Sequence, residues 1–136
     1  MRRFFAAPAA AMTAALVLAS PATADTVPGP PYVAQAEWVK WGDLSSLRVY
    51  PTEAARVASA QIGTTAQADE AWTEVLTLSP DADIPGMREQ FMCHWQYAEL
   101  AQPGKTSWNL EPWRPEVSGD EMIAAHCNPG GTEEPF

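Results

Sequence analysis

The chain has 136 residues, with 17 Asp and Glu against 8 Lys and Arg and a formal net charge of −9. Nucleic acid and anionic lipid surfaces repel so acidic a protein, which excludes both as partners. Its 6 tryptophans are large apolar payloads, and they exclude a disordered acidic tail as the reading of the chain.

Residues 1–24 read as a secretory signal. Met1-Arg2-Arg3 supplies the positive start, Ala14 to Ala19 lie in the apolar stretch, and Ala22-Thr23-Ala24 is a small-x-small cleavage site. The expected localisation is therefore secreted or extracellular. The apolar stretch is short of the roughly 20 residues a bilayer span needs, and no second candidate follows, so no membrane span is expected. Arg2-Arg3-Phe4-Phe5 loosely matches a twin-arginine signal, yet two bases beside the initiator Met suit the general export route equally, and the route stays open. No Cys stands at the cleavage point to carry a lipid. Cleavage after Ala24 removes two bases and no acid, leaving about 112 residues and a net charge near −11, a length that suits one domain and not two.

Residues 25–31, "DTVPGPP", form a flexible, extended lead-in because Pro and Gly dominate them. A single globular domain is expected over 32–131. Aromatic and β-branched residues alternate through Tyr32–Trp41, "GDLSS" supplies a turn, and "LRVYP" follows, which predicts a β-hairpin or two consecutive strands. Thr52 is placed to cap a short helix from Glu53, with Val57 and Ala58 inward and Gly63 ending it. Thr64 with Gln67 makes a capping-box start for a second helix. There Ala68, Trp72, Val75 and Leu76 share one face while Asp69, Glu70, Thr73 and Glu74 point away. A third helix spans Ile84–Ala101, where Met87, Phe91, Trp95 and Ala98 form a stripe. His94 falls within that stripe, Cys93 falls at its border, and Arg88, Glu89, Gln96 and Glu99 take the wet side. The segment "WNLEPWRP", Trp108–Pro115, holds two prolines and so reads as an edge strand or polyproline stretch. Ser118 or Asp120 starts a last short helix that "CNPGG" breaks, and residues 132–136 form a loose tail. No internal repeat is present.

Cys93 and Cys127 are the only cysteines, and an exported pair reads first as a disulfide. Closing a loop of about 34 residues constrains the unfolded chain by roughly 4 kcal/mol on the chain-entropy model. The pair Cys93-His94 mirrors His126-Cys127, so a bridge would carry the two histidines near each other, and reduced thiols would make a Cys₂His₂ set. Adjacent Cys-His ligands are poorly spaced for one tetrahedral ion, which argues against metal. A bridged sulfur also cannot act as a nucleophile. The run Asp81-Ala82-Asp83-Ile84-Pro85-Gly86 resembles the opening of a calcium loop, but Pro85 and Met92 stand where two ligands belong. Asp83 capping the third helix, with Pro85 in its first turn, is the simpler account. No Gly-x-Ser-x-Gly elbow, His-Glu-x-x-His or phosphate-cradling glycine loop occurs, and no pair among the acids stands out for glycosidase work. No catalytic residue, metal site or cofactor is nominated.

The strings "WNLEPWRP", "CNPGG" and "QFMCHWQYA" together resemble an actinobacterial secreted family known as domain of unknown function 2599. The resemblance runs from about Trp41 and "LRVYPT" to Gly131. It implies an exported single-domain protein with its two cysteines placed as here, and it brings no activity that maps onto a residue. From the residues themselves, alternation puts Trp108 and Leu110 on one side with Asn109, Glu111 and Trp113 on the other. An exposed Trp113 flanked by Glu111 and Arg114 would suit a sugar ring or a peptide. The plainer reading packs Trp113 beneath the tail and pairs Arg114 with a carboxylate.

These readings converge on an α+β fold, a small antiparallel sheet packed against three to four short helices with one disulfide. Trp108, Glu111, Trp113 and Arg114 are the candidate binding residues. The expected function is that of a non-enzymatic binding or interaction protein of the cell envelope or extracellular space, a monomeric domain whose partner is a cell-wall glycan or an envelope protein. The alternative is a small secreted hydrolase acting on cell-wall glycan or peptide.

Overall fold

Two runs of alternating residues meet across a two-residue turn in the computed structural model, which describes residues 15 and 26–131. Apart from residue 15, the signal expected over 1–24 lies outside the described residues, as does the tail at 132–136. Strand β1 (Val33–Trp41) pairs antiparallel with β2 (Leu44–Pro51), and Trp41 faces Leu44 at the end of the ladder. Only Gly42 and Asp43 form the turn, shorter than "GDLSS" suggested. Gly42 takes φ +61°, the left-handed conformation a two-residue hairpin turn demands. Ala36 opposite Val49 and Trp38 opposite Leu47 share the inner face of the sheet.

Thr52 ends the hairpin and starts α1 (Glu53–Ser59). Its side chain accepts the Ala55 N–H at 3.1 Å and donates to the Pro31 carbonyl at 2.7 Å, so the cap also ties down the lead-in. Ala55 and Ala58 face the core, but Val57 is exposed rather than inward. The helix stops at Ser59, before Gly63, with Ala60 as its C-cap and the Ala60 N–H bonded to the Arg56 carbonyl at 3.2 Å.

Helix α2 (Thr65–Leu78) buries Ala68, Ala71, Trp72 and Val75, and Leu76 packs half-buried at the margin. The capping box expected at Thr64 does not form. Thr64 Oγ1 instead accepts the Trp95 indole N–H at 2.9 Å and donates to the Gln61 carbonyl at 3.2 Å. A buried indole N–H without a partner costs more than a helix cap contributes, and the tertiary bond wins. Glu74, expected to face solvent, accepts the backbone N–H groups of Tyr32 and Val33 at 2.9 to 3.3 Å. It anchors the start of β1 to α2.

After a 3₁₀ turn at Pro80–Ala82, α3 runs over Met87–Ala101. It begins later than expected. Gly86, at φ +91°, occupies the N-cap position, so Asp83 does not cap the helix and Pro85 precedes it. The stripe of Met87, Phe91, Trp95 and Ala98 is buried as its spacing required, and Gln90, Cys93 and His94 are buried beside it. Strand β3 (Trp108–Leu110) pairs antiparallel with β2, giving the order β1-β2-β3. It is therefore an edge strand, the place two following prolines allow. The outer flank of β1 has no strand partner among the described residues.

The core is aromatic. Trp72, Phe91, Trp95, Trp108 and Tyr32 form a chain of ring contacts with centroids 5.5 to 6.1 Å apart, each pair contributing about 0.5–1.5 kcal/mol beyond its buried area. Finally α4 (Gly119–Ala124) starts in a complete capping box, Ser118 with Glu121. Its Met122 packs with Cys93 and Cys127 in a smaller cluster, flanked by Tyr97 and Val117. Among the described residues three antiparallel strands, four α-helices and one disulfide make an α+β fold. No helix of the described residues is long and apolar enough to cross a membrane.

Candidate functional site

Two constructions fasten the C-terminal return of the chain onto α3. The first is the disulfide between Cys93 and Cys127, with Cα atoms 5.6 Å apart. The end of α4 prepares it. The His126 N–H reaches the Ile123 carbonyl and the Cys127 N–H reaches the Met122 carbonyl, both at 3.0 Å, the two bonds of a Schellman stop. Histidine holds the left-handed position usually given to glycine, at φ +51°, and Cys127 follows at φ +67°. Two successive non-glycine residues in that region are strained, and the covalent bridge beside them holds the conformation.

The second construction is "WNLEPWRP". Glu111 is fully buried and Arg114 is 3% exposed. The Arg114 Nε donates to Glu111 Oε2 at 2.9 Å, and Ser46 Oγ donates to Glu111 Oε1 at 2.9 Å. The Gln90 side chain from α3 reads the Glu111 backbone in both directions, accepting its N–H and donating to its carbonyl at 2.9 Å each. Arg114 Nη1 then donates to the carbonyls of Pro129 at 3.1 Å and Gly131 at 2.8 Å. The guanidinium also lies 4.5 Å from the ring centre of Trp113, within cation–π range. Close packing continues at Gly130, where an added Cβ would come within 2.8 Å of the Pro115 ring.

Of the four residues singled out in this segment, Trp108 belongs to the core, and Glu111 and Arg114 are buried with their charged groups paired. Trp113 alone keeps part of its surface in solvent. The alternation expected here does not separate a wet side from a dry one, since Trp108, Asn109, Leu110 and Glu111 are all buried. Periodicity had no means to find Ser46 or Gln90, which lie 65 and 21 residues from Glu111 and become partners through the fold.

The sulfurs are bonded to each other, so the Cys₂His₂ set is not available to a metal. No group of three or more His, Cys, Asp or Glu among the described residues is placed to hold one. Asp81 accepts the Trp38 indole N–H at 3.1 Å, which gives it a structural partner across the body.

The bridge does bring both histidines to one place. They line a half-open groove of about 400 Å³ between the C-terminal half of α3 and the segment around Cys127. His94 lies at its base, 4% exposed, with Nδ1 2.8 Å from the Gln90 carbonyl. That nitrogen carries the proton, since a carbonyl only accepts. Tyr97, Ala98, Ala101 and Ile123 supply apolar walls, and Lys105, Gln102 and Asn128 supply polar groups. A second groove of about 410 Å³ opens on the other side of α3, beside Ile62, Trp95 and Leu100. Tyr97 borders both, and Ile62 and Leu100 are exposed. Sequence spacing marked His94 and His126 but not Tyr97, Ala101, Lys105 or Ile123, which gather only once the chain turns back at Cys127.

Residues 33–130 match the family model described as "Protein of unknown function (DUF2599)". Uncharacterized proteins of Mycobacterium tuberculosis and Mycobacterium bovis are 61% identical over 112 residues, covering 79% of this chain and 75% of each relative. An uncharacterized protein of Mycobacterium leprae is 50% identical over 103 residues, covering 76% of this chain and 83% of the relative. No solved structure matches the chain. The matched span contains the three strands and four α-helices of the described residues and both bridged cysteines, and the chain belongs to the DUF2599 family of proteins of unknown function.

Proposed function

We propose that the protein is exported and acts outside the membrane as a non-enzymatic binding protein of the cell envelope or its surroundings. The groove beside the disulfide is its binding site. One observation carries the reading. An open groove of about 400 Å³ with apolar walls is held between two elements that are covalently joined, and a site held rigid in advance spends less free energy on ordering when it binds. Glu111, the most deeply buried carboxylate, supports the same reading, because both of its oxygens already accept bonds within the fold. The arginine-rich start, apolar run and small-x-small site within residues 1–24 support export, as does a cysteine pair closed as a disulfide.

Two measurements test this. N-terminal sequencing of protein recovered from culture filtrate is expected to begin at Asp25, and recovery of the uncut chain from the cytoplasm alone contradicts export. Ala101 is exposed and lines the groove, so Ala101→Trp fills it without disturbing the core. The variant is expected to melt as the wild type does and to lose retention on purified envelope material. Retention equal to the wild type rules the groove out as the binding site.

A further inference from the structure

We propose that two copies of the chain pair about a two-fold axis through the face formed by the α1–α2 loop and the C-terminal half of α3, a different face from the groove beside the disulfide. Ile62 carries the proposal. It is 103% exposed, and Leu100, which lines the same groove of about 410 Å³, is 68% exposed. Ile62 adds no burial to its own fold, yet the loop that presents it is firmly built. The Gln61 N–H reaches the Ala58 carbonyl at 3.0 Å, and Thr64 Oγ1 donates to the Gln61 carbonyl at 3.2 Å while accepting the Trp95 indole N–H at 2.9 Å. Gly63 makes the tight turn between them at φ +81°. An isoleucine held out in this way loses little freedom when a partner covers it.

The projection stands on the rim of a recess. Ala68, Met92 and Trp95 give the groove an apolar lining. A projection and a recess within one patch are self-complementary, because a two-fold axis between them sends Ile62 of each copy into the groove of the other and closes the assembly at two. Val57, 41% exposed on α1, extends the apolar surface. Covering an aliphatic side chain of this size removes on the order of 100 Å² of apolar surface, so Val57, Ile62 and Leu100 of two copies supply roughly 400 Å². That is about a quarter of a standard interface of roughly 1,600 Å², in keeping with a weak dimer and not an obligate one. The monomer expected from the sequence is then the dilute form. A net charge of −9 opposes close approach of two copies, but charges bordering this face are balanced in pairs. Arg88, in the groove lining, pairs with Asp69, and Arg56, on the α1 side, pairs with Glu99 at 2.6 Å.

The purified protein is followed by sedimentation velocity from about 1 μM to about 1 mM, a range that brackets a weak dimer, alongside Ile62→Asp and Leu100→Ser. The wild type is expected to pass from monomer to dimer with half-association at roughly 10–100 μM. Each substitution occurs twice in a two-fold interface, so either variant should weaken the dimer about a hundredfold while melting like the wild type at low concentration. A second pair of cysteines then locates the contact. In Ile62→Cys/Gln96→Cys, position 62 and the groove residue at 96 are expected to be joined between chains by a short thiol cross-linker. A wild type that stays monomeric throughout overturns the proposal. So does a dimer that both variants retain, which places the contact on another face, and so does open-ended growth beyond two copies. A monomer whose Ile62→Asp variant loses retention on envelope material overturns the second copy as occupant and gives the face to a foreign partner.

Discussion

Between Tyr32 and Leu110 the chain is held by area, with seventeen buried apolar residues joined in one cluster around the rings of Trp72, Phe91, Trp95 and Trp108. Beyond Leu110 it is held by a few directed bonds. There the apolar cluster shrinks to Cys93, Met122 and Cys127, and the disulfide, the Glu111–Arg114 pair and the Arg114 bonds to Pro129 and Gly131 fix the path. The difference teaches where the molecule is tolerant. Burial is shared among many groups and has no direction, so an apolar swap that keeps the volume is tolerated there. A buried charge has specific partners, and removing one leaves the other uncompensated.

The sharpest way to break this contrast is Glu111→Ala, which strands the Arg114 guanidinium in the interior. The expected loss is about 3–5 kcal/mol, read from urea unfolding. Glu111→Leu combined with Arg114→Met should recover most of it, because a well-packed apolar pair often replaces a buried ion pair at little cost. Recovery of nothing would mean that the polar pair fixes the path by more than its own charge balance.

Cys93→Ala with Cys127→Ala is expected to cost roughly 4 kcal/mol on the loop-entropy estimate. Its signature is local. Amide exchange should accelerate through α4 and residues 125–131 well before it does in β2, and uniform loss of protection would show that the two regions unfold as one.

The smallest effect concerns the body alone. Burial first, and then the nearby charges of Glu70 and Glu74, raise the Tyr32 phenol above its usual 10.0, and its hydroxyl donates to the Pro28 carbonyl at 2.8 Å. The folded chain keeps this proton to higher pH than the unfolded chain does. The stabilisation is thus complete below about pH 10 and fades as pH rises through the folded value. Melting temperatures followed from neutral to strongly alkaline pH should fall more steeply in the wild type than in Tyr32→Phe.

What sequence reading reached was local and periodic. The inward stripe of α3, the hairpin, the Thr52 cap and the Ser118 start of α4 are visible in spacings of two to four residues, the range over which a helix or strand repeats. Thr64 shows where that logic fails. A capping box is a correct reading of Thr64 and Gln67 in isolation, but Trp95, 31 residues away, takes the hydroxyl. Gly86 is similar, because its left-handed turn sets the helix start that Asp83 and Pro85 had suggested nearer the N-terminus. Within the candidate site, the cysteine pairing was legible from composition and the compartment expected from residues 1–24. The Ser46–Glu111–Arg114 chain and the groove walls were not, since no local pattern encodes a bond across 65 residues.

The outer flank of β1, which no strand of the described residues pairs, has a consequence for handling the protein. A nine-residue strand whose edge is open among the described residues is a template on which another copy can add its own strand. Glu37 and Lys40, both exposed along it, and the acidity of the whole chain keep molecules apart by mutual repulsion. Concentrated salt or mild acid weakens that repulsion, and colloidal stability should give way under those conditions before the fold does.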